Sequence, residues 1–374
     1  MAEPDSRKGR PSNEQSLKRA CNFSRTKKRL IVDGLSRPRS TGVTLALISY
    51  NGALRVEETL RHIAEQEVPE NIAWELIVVD NNSSDATQLI VSRSWPQRLQ
   101  GRLKIVNEDR QGAIFARQRA IREARYEYLS FVDDDNWISQ NWISEIFRLF
   151  ESNPEVAIVS CPSEYAFPSE APSHCKHVWG WLAVGSQVDT KGIIKQRPAA
   201  FWTAGCSFRL SAVDSISEEN LQFCLTGRTA EKRSGGEDHE LCMFLNMLGY
   251  GVFFADSISF KHAIPSARLT VSSIEQTLSE STRCHVVLEV YREFIRSGSA
   301  FRLFPWIVKE TLGFTQAYLK YLVKLVVFQQ EPLSPNRVGV LVRYGRIRGL
   351  FVHWKDISKA RANIEFIAKS KSNK

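Results

Sequence analysis

Residues 128–135 read YLSFVDDD, an apolar run that ends abruptly in three aspartates and indicates the class of fold. A run of this length and composition is typical of a strand that is buried on both faces of a parallel sheet. In sheets of that kind, ligands bind outside the carboxyl ends of the strands. The aspartates therefore predict a functional site at the sheet edge where this strand ends.

Three further apolar runs lie upstream, and helical spacing follows each of them. The runs are residues 43–50, 75–80 and 103–106, and the helical segments are 54–67, a segment from about residue 86, and 114–124. Downstream, the spacing predicts a helix over 237–249 and a strand over 252–254. This alternation predicts an α/β fold with a mostly parallel sheet flanked by helices.

Acidic residues follow the strands and open a later helix. Asp80 ends the run at 75–80, and Glu237 and Asp238 start the helix over 237–249. Three adjacent carboxylates repel one another unless cations or solvent separate them, and Mg²⁺ and Mn²⁺ prefer carboxylate oxygens. We therefore expect one of these two metals, bridging a diphosphate, at residues 133–135; a solvated acidic turn is the alternative. Asp238 is expected to be a general base, with a helix-capping role as the alternative.

Five motifs, taken together and in this order, resemble the family 2 glycosyltransferases of the GT-A fold. They are YN at 50–51, VDNNSSDAT at 79–87, AR at 116–117, FVDDD at 131–135 and GED at 236–238. The resemblance covers roughly residues 43–265, and the conjunction is far more specific than any single motif. It implies inverting transfer of a sugar from a nucleotide-diphosphate sugar to a hydroxyl acceptor, usually with a divalent metal.

The resemblance also implies roles for individual residues. Asp238 is then the catalytic base, Asp135 the principal metal ligand and His262 a further ligand, while Trp202 and Glu237 lie on the acceptor side. The residues implied to hold the nucleotide-sugar are Tyr50, Asn51, Asp80, Asn82, Arg117, Asp133 and Asp134. In the family's Ala-Arg-Asn-x-Gly stretch, this chain keeps Arg117 but has Gln118 and Ala120 in place of Asn and Gly.

Charge divides the chain into an acidic body with two basic ends. The formal net charge is +9, of which residues 1–40 carry +7 and residues 332–374 carry +8, so that residues 41–331 carry −6. An acidic body argues against a nucleic-acid groove, and basic ends favour contact with an anionic membrane surface. The predicted organisation is a basic disordered arm over 1–40, a GT-A domain over 41–270, a helical appendage over 271–331 and a basic C-terminal tail over 332–374.

The segment 303–328 is the most apolar part of the chain, but charged residues interrupt it, so a membrane-spanning helix is not expected. Helical spacing predicts one polar face and one apolar face. The polar face holds Lys309, Gln316, Lys320 and Lys324 with Glu310 beside them, and the apolar face holds Trp306, Leu312, Phe314, Leu319, Leu322, Leu325 and Val326. Two interpretations stay open, a helix that packs on the body and a helix that lies in a membrane interface.

The compartment and the reaction follow from these observations. The 7 scattered cysteines form no C-x-x-C pair and the N-terminus has no apolar segment, so we expect a cytoplasmic protein, peripheral on the cytoplasmic face of the membrane. The expected acceptor is a saccharide or a lipid-linked glycan of envelope or polysaccharide biosynthesis. One alternative is a sugar nucleotidyltransferase, although no glycine-rich phosphate loop follows the first strand. The other is a non-enzymatic scaffold, which leaves the acidic motifs unexplained.

Overall fold

A computed structural model describes residues 38–166, 171–195, 197–216, 221–227, 235–327 and 332–372. The predicted disordered arm falls on residues 1–37, outside the described residues, and on three residues that belong to the fold. Of these, Arg39 donates a hydrogen bond of 3.2 Å to the Oδ1 atom of Asp214, and Ser40 begins the first strand. The folded body therefore starts slightly earlier than the charge pattern indicates.

The strands of the described residues form a main sheet and a small second sheet. The main sheet consists of β1 (Ser40–Ser49), β2 (Trp74–Asp80), β3 (Leu103–Asn107), β4 (Tyr126–Asp133), β6 (Val156–Ser160), β8 (Gly192–Ile193), β9 (Ser207–Arg209) and β10 (Gly251–Phe254), and the second of β5 (Asn136–Ile138), β7 (Ser163–Tyr165) and β11 (Phe260–His262). The main sheet has the order β3-β2-β1-β4-β9-β6-β10-β8. Its pairs are parallel except at β9, which is antiparallel to both neighbours, and at β8 on the edge. The predicted mostly parallel sheet is confirmed.

The helices lie between the strands and continue beyond them to the C-terminus. They are α1 (Val56–Ala64), α2 (Thr87–Ser94), α3 (Ala113–Glu123), α4 (Trp142–Ser152), α5 (Leu210–Val213), α6 (Glu237–Leu248), α7 (Val271–Ser281), α8 (His285–Ser297), α9 (Leu303–Val327), α10 (Pro335–Val352) and α11 (Trp354–Ser372). Helices α1 and α4 each bury one apolar stripe at helical spacing, which covers one face of the sheet. The other face packs against apolar residues of α3, α6 and α8.

The basic C-terminal segment is part of this body. Leu350 in α10 and Ile357, Ala360 and Ile367 in α11 are buried in the same core as α6 and α8. Glycines in α10 allow close helix packing: a β-carbon at Gly345 would collide with the backbone of Ser279, and one at Gly349 with the backbone of Arg283. The backbone of α10 therefore lies directly against the residues that join α7 to α8.

Helix α9 packs against α10 in a way that differs from the prediction. Glu310 is 1% exposed, and its carboxylate lies 3.1 Å from Arg343 and 3.1 Å from Arg346, so that it belongs to the buried face. Trp306 is buried as well, whereas Leu312 and Leu319 are exposed. The prediction was wrong to place Glu310 beside the polar face and to place Trp306 on one face with Leu312 and Leu319. The reason is that the neighbouring helix carries two arginines, which make burial of the glutamate favourable.

Candidate active site

The strand ends that carry the acidic motifs lie side by side. In the parallel register, Ser49 of β1 pairs with Asp80 of β2, and Ile48 of β1 pairs with Asp133 of β4. The residues that follow these three strands therefore share one edge of the sheet. This is the carboxyl edge, where parallel α/β sheets bind their ligands.

The segments after β1 and β2 hold each other at this edge. The backbone N–H of Asn51 donates to the hydroxyl of Ser83 at 2.9 Å, and the Asn51 side-chain oxygen accepts from the N–H of Ser84 at 2.9 Å. Asn51 and Asn82 both have positive φ angles, 48° and 62°, which asparagine tolerates better than most residues. Tyr50 is 37% exposed at the same edge, so its ring is accessible to a ligand.

Three side chains complete this part of the edge. The buried carboxylate of Asp80 accepts hydrogen bonds from the Ser83 N–H, at 3.1 Å, and from the Gln88 amide. Gln111 lies 3.4 Å from the Tyr50 hydroxyl. Asn81 accepts from the N–H of Gly112 at 2.9 Å, which ties the start of α3 to the end of β2. Gln88 and Gln111 could not be predicted as members of the site, because both lie outside the acidic motifs.

The three aspartates after β4 have three different environments. Asp133 is half-buried, and burial together with its acidic neighbours raises its pKa to about 6. Asp134 turns into the body, where Arg55 donates two hydrogen bonds of 2.9 Å and Ser49 one of 2.6 Å. The Asp134 carboxylate thus fixes α1 to the end of β4. Its predicted role in binding the nucleotide-sugar remains a prediction.

Asp135 faces His262, which the pairing of β11 with β5 brings beside it. The Nε2 atom of His262 lies 3.5 Å from the Asp135 Oδ2, while the Nδ1 atom lies 2.9 Å from the Leu182 carbonyl oxygen. Since a carbonyl oxygen can only accept, Nδ1 carries a hydrogen; Nε2 then faces the carboxylate with a lone pair in the neutral imidazole and with an N–H in the protonated one, and the protonated form is the one that stabilises the Asp135 carboxylate. Burial opposes ionisation of Asp135, but His262 and Arg268 lower its pKa to about 2.

A carboxylate oxygen and an imidazole nitrogen that face each other fit a divalent cation between them. The Arg268 guanidinium also lies 3.4 Å from the Asp135 Oδ2 atom. In the part of the chain that the structure describes, no group of three or more His, Cys, Asp or Glu side chains is arranged to hold a metal ion. An ion at Asp135 and His262 would therefore complete its coordination with phosphate and water oxygens, as Mg²⁺ commonly does.

The start of α6 carries the predicted base. Asp238 is half-buried, and His239 donates to its carboxylate from the backbone N–H at 2.8 Å. Burial opposes ionisation, but His239 and Arg117 hold the pKa of Asp238 below its usual range. Asp238 is consequently a carboxylate at neutral pH and can accept a proton.

Arg117 connects the two acidic regions. Its guanidinium is buried in α3 and forms an ion pair with Glu237, the residue before Asp238. It also interacts electrostatically with Asp133 and Asp238. The Arg117 guanidinium thus lies between the end of β4 and the start of α6. Arg117 and Glu237 are 120 positions apart in the chain, so their pairing could not be predicted from the sequence and is seen only in the structure.

Residues 224–227, which precede α6 in the chain, contact two glutamates of its first turn. Gly227 has a φ of 75°, and a β-carbon there would collide with the Glu237 carboxylate. The buried carboxylate of Glu240 accepts from the backbone N–H groups of Cys224 and Leu225, both at 3.0 Å. Trp202 is half-buried, and its backbone N–H donates a hydrogen bond of 3.0 Å to the side-chain oxygen of Gln187. Its predicted place on the acceptor side remains a prediction.

Known proteins resemble this chain in sequence. Residues 44–216 match the sequence profile of glycosyl transferase family 2. The UDP-Glc:alpha-D-GlcNAc-diphosphoundecaprenol beta-1,3-glucosyltransferase WfgD of Escherichia coli is 29% identical over 112 residues, which cover 30% of this chain and 42% of that protein. The succinoglycan biosynthesis protein ExoM of Rhizobium meliloti is 21% identical over 229 residues, covering 61% and 69%. With other curated relatives, the chain matches about a third of their length.

A solved structure shares the fold. It is the mannosyltransferase PcManGT of Pyrobaculum calidifontis in complex with GDP-Man and Mn²⁺, which aligns with a TM-score of 0.54 at 18% identity. The alignment covers 86% of this chain and 91% of that one. The mostly parallel sheet with its flanking helices therefore has the GT-A fold, as predicted.

Proposed function

Because residues 44–216 form a family 2 glycosyltransferase domain, we propose that this protein moves a sugar from a nucleotide-diphosphate sugar to a hydroxyl group, with inversion at the anomeric carbon. The observation that carries the proposal is the position of Arg117, which is ion-paired with Glu237 and interacts with both Asp133 and Asp238. It supports one crevice in which a donor-binding acid and a base act on the same substrate.

In the proposed complex, the nucleotide binds at the ends of β1 and β2. The exposed ring of Tyr50 offers a surface for the base, and the polar groups of Asn51, Asp80 and Asn82 line the same edge. Asp133, at the end of the neighbouring strand β4, is then placed towards the ribose and the diphosphate. Arg117 is buried and paired, so we assign it to positioning Glu237 rather than to direct contact with the nucleotide.

Asp135 and His262 are the residues that would hold a divalent metal, either Mg²⁺ or Mn²⁺. When bound, such an ion neutralises the charge that develops on the departing nucleoside diphosphate. The bound Mn²⁺ of the mannosyltransferase with the same fold supports this assignment. The hydrogen bond from His262 to Leu182 orients the imidazole, as the partners of metal-bound histidines commonly do.

Asp238 is the proposed base. It takes the proton of the acceptor hydroxyl while the hydroxyl oxygen forms a bond to the anomeric carbon and the bond to the diphosphate oxygen breaks. A single displacement of this kind inverts the anomeric configuration. The low pKa of Asp238 keeps its carboxylate unprotonated throughout the physiological range, and a weak base of this kind takes the proton as the acceptor oxygen becomes positively charged during bond formation.

The proposed acceptor is a saccharide or lipid-linked glycan of envelope or polysaccharide biosynthesis. The support is the naming of the relatives, since WfgD is named for a diphosphoundecaprenol-linked acceptor and ExoM for succinoglycan biosynthesis. We place the reaction in the cytoplasm, because the described cysteines are free and buried, as in reducing compartments. The described residues contain no helix that is long and apolar enough to cross a bilayer.

A nucleotide-sugar screen tests the proposal. The full chain is incubated with UDP-, GDP- and dTDP-sugars, with Mg²⁺, Mn²⁺ or a chelator, and thermal stability and nucleoside diphosphate release are measured. We expect at least one nucleotide-sugar to raise the melting temperature in the presence of metal and to be hydrolysed slowly. Consumption of a nucleoside triphosphate and a sugar 1-phosphate, without any effect of nucleotide-sugars, would instead identify a nucleotidyltransferase.

A further inference from the structure

Helix α9 has the reverse of the usual distribution of polar and apolar residues in a surface helix. Its buried side contains a charged residue, Glu310, whereas its outer side is apolar. The residues of this outer side, which we term the α9 apolar face, are Phe304, Val308, Leu312, Leu319, Leu322, Val323 and Val326, and all of them are exposed. Phe304 is 75% and Val326 is 85% exposed, near opposite ends of the helix. Exposed apolar surface of this extent commonly marks a binding surface.

The contacts of α9 prevent the helix from rotating this face inward. If the helix rotated about its axis, Glu310 would lose its ion pairs with Arg343 and Arg346, and both arginines would lose their partner on α9. Gly313 also lacks a side chain where the Arg343 guanidinium crosses the helix. Helix α10, to which α9 is bound, is itself fixed to the body by the close contacts at Gly345 and Gly349. Among the described residues, these contacts therefore hold the α9 apolar face on the surface.

Positive charges border this face. Lys309 and Lys320 are exposed and, at helical spacing, lie along one margin of the α9 apolar face. Exposed apolar side chains at the junction of α10 and α11, among them Phe351 and Trp354, lie towards the start of α9, because α9 and α10 are antiparallel: Glu310 contacts Arg346 whereas Ala317 lies beside Gly339. Apolar residues with lysines and aromatic side chains along the margin are typical of helices that lie in a lipid interface.

We propose that the α9 apolar face inserts into the interface of an anionic bilayer, with Lys309 and Lys320 contacting the lipid head groups. Charge complementarity favours this occupant over a second copy of the chain, because two copies joined through this face would bring their lysines together. The lysines gain energy only from a negative surface, whereas the apolar residues gain it from removal from water. The inference is independent of the proposed reaction, since binding to lipid needs neither donor nor acceptor.

Vesicle sedimentation tests this proposal. The full chain is mixed with vesicles of phosphatidylcholine alone, or of phosphatidylcholine with phosphatidylglycerol, at low and at high salt. We expect binding to the anionic vesicles that weakens with salt. The double variant L312Q/L319Q should bind about tenfold more weakly for each leucine removed. Replacement of Lys309 and Lys320 by Gln should weaken binding about fivefold for each lysine.

A matched variant controls for the loss of exposed apolar residues. Leu89 and Ile193 are exposed to a similar degree, at 49% and 45%, but lie on α2 and β8, so L89Q/I193Q should bind vesicles as the unaltered chain does. Unfolding temperatures of both double variants establish that each is folded. Equal binding by L312Q/L319Q and the unaltered chain would overturn the proposal. So would a dimer that L312Q/L319Q dissociates, if the unaltered chain ignores anionic vesicles.

Discussion

The hydroxyl of Tyr291 donates a hydrogen bond of 2.8 Å to the Oε1 atom of Glu240. Tyr291 belongs to α8, and its hydroxyl accepts in turn from the Asn363 amide of α11 at 3.0 Å. Glu240 lies in the first turn of α6, two residues after Asp238, and also holds the N–H groups of Cys224 and Leu225. The C-terminal helices thereby support the first turn of α6, which carries the proposed base, together with Cys224 and Leu225.

The variant Tyr291→Phe should lower stability by an amount that depends on pH. Burial raises the pKa of Glu240 from its ordinary 4.5 to about 7. The folded state therefore binds this proton more tightly than the unfolded state, so stability falls as pH rises from the unfolded to the folded pKa. Above that window the carboxylate is charged and depends on its donors. We expect a loss of about 1–3 kcal/mol in urea unfolding, larger at about pH 8 than at about pH 5.5.

Tyr250 offers the control for this measurement. Its hydroxyl lies 3.4 Å from the hydroxyl of Ser215, and neither group in this contact is a carboxylate. Tyr250→Phe should therefore change the free energy of unfolding little at either pH. An effect of Tyr291→Phe that is the same at both pH values would contradict the role of the charged Glu240.

Asp238→Asn should abolish transfer while leaving donor binding intact. Asparagine has nearly the same shape but cannot accept the hydroxyl proton, so we expect at least about a hundredfold loss of turnover. Donor binding is measured by calorimetry with the nucleotide-sugar found in the screen, and turnover by nucleoside diphosphate release. Asp256→Asn, at an exposed ion pair with Lys191, is the matched control. Retention of turnover would exclude Asp238 as the base.

His262→Gln should weaken metal binding. Loss of the imidazole leaves Asp135 as the remaining assigned protein ligand, and we expect the Mn²⁺ affinity in the presence of nucleoside diphosphate to fall about ten- to a hundredfold. Calorimetric Mn²⁺ titration measures this directly, without turnover. The exposed His177 supplies the control variant His177→Gln, which should titrate normally. An unchanged Mn²⁺ affinity in His262→Gln would remove this residue from the proposed site.

Arg117→Met should be strongly destabilising, because it leaves the buried Glu237 carboxylate without its cation. Loss of one partner of a buried ion pair costs about 3–5 kcal/mol. Adding Glu237→Gln in the same chain should restore part of this loss, which urea unfolding can measure. Arg61→Met breaks ion pairs on the exposed side of α1 and should have little effect. Similar costs for Arg117→Met and Arg61→Met would argue against the importance of the buried pair.

The position of the acidic strand ends at one edge of the sheet could be predicted from the sequence because the signal is local. The apolar runs before Asp80 and Asp133 define buried strands, and parallel pairing then places both carboxylates at one edge. His262 was expected beside Asp135 only through resemblance to a family. The short strand β11 that carries it has three residues, too few for a periodic pattern.

Partners that come from distant segments could not be predicted. The pairing of Arg55 with Asp134 links residues 79 positions apart, and nothing in either local sequence distinguishes Asp134 from Asp133 or Asp135. The prediction that Glu310 lies beside the polar face of its helix was wrong for the same reason. Helical spacing assigns residues to faces, but the face that turns inward depends on the two arginines of α10.

The contacts at Gly345 and Gly349 imply unequal freedom for sequence change along α10. At these two positions, even a methyl group meets backbone, that of Ser279 in the last turn of α7 or that of Arg283 between α7 and α8, and backbone cannot move aside as a flexible side chain can. The opposite side of the same helix includes Tyr344 and Phe351, which are exposed and free to vary in size. Over evolutionary time, or in a saturation library, we expect the two glycines to resist replacement while their immediate neighbours drift, so that glycine spacing would mark this helix after other likeness has been lost.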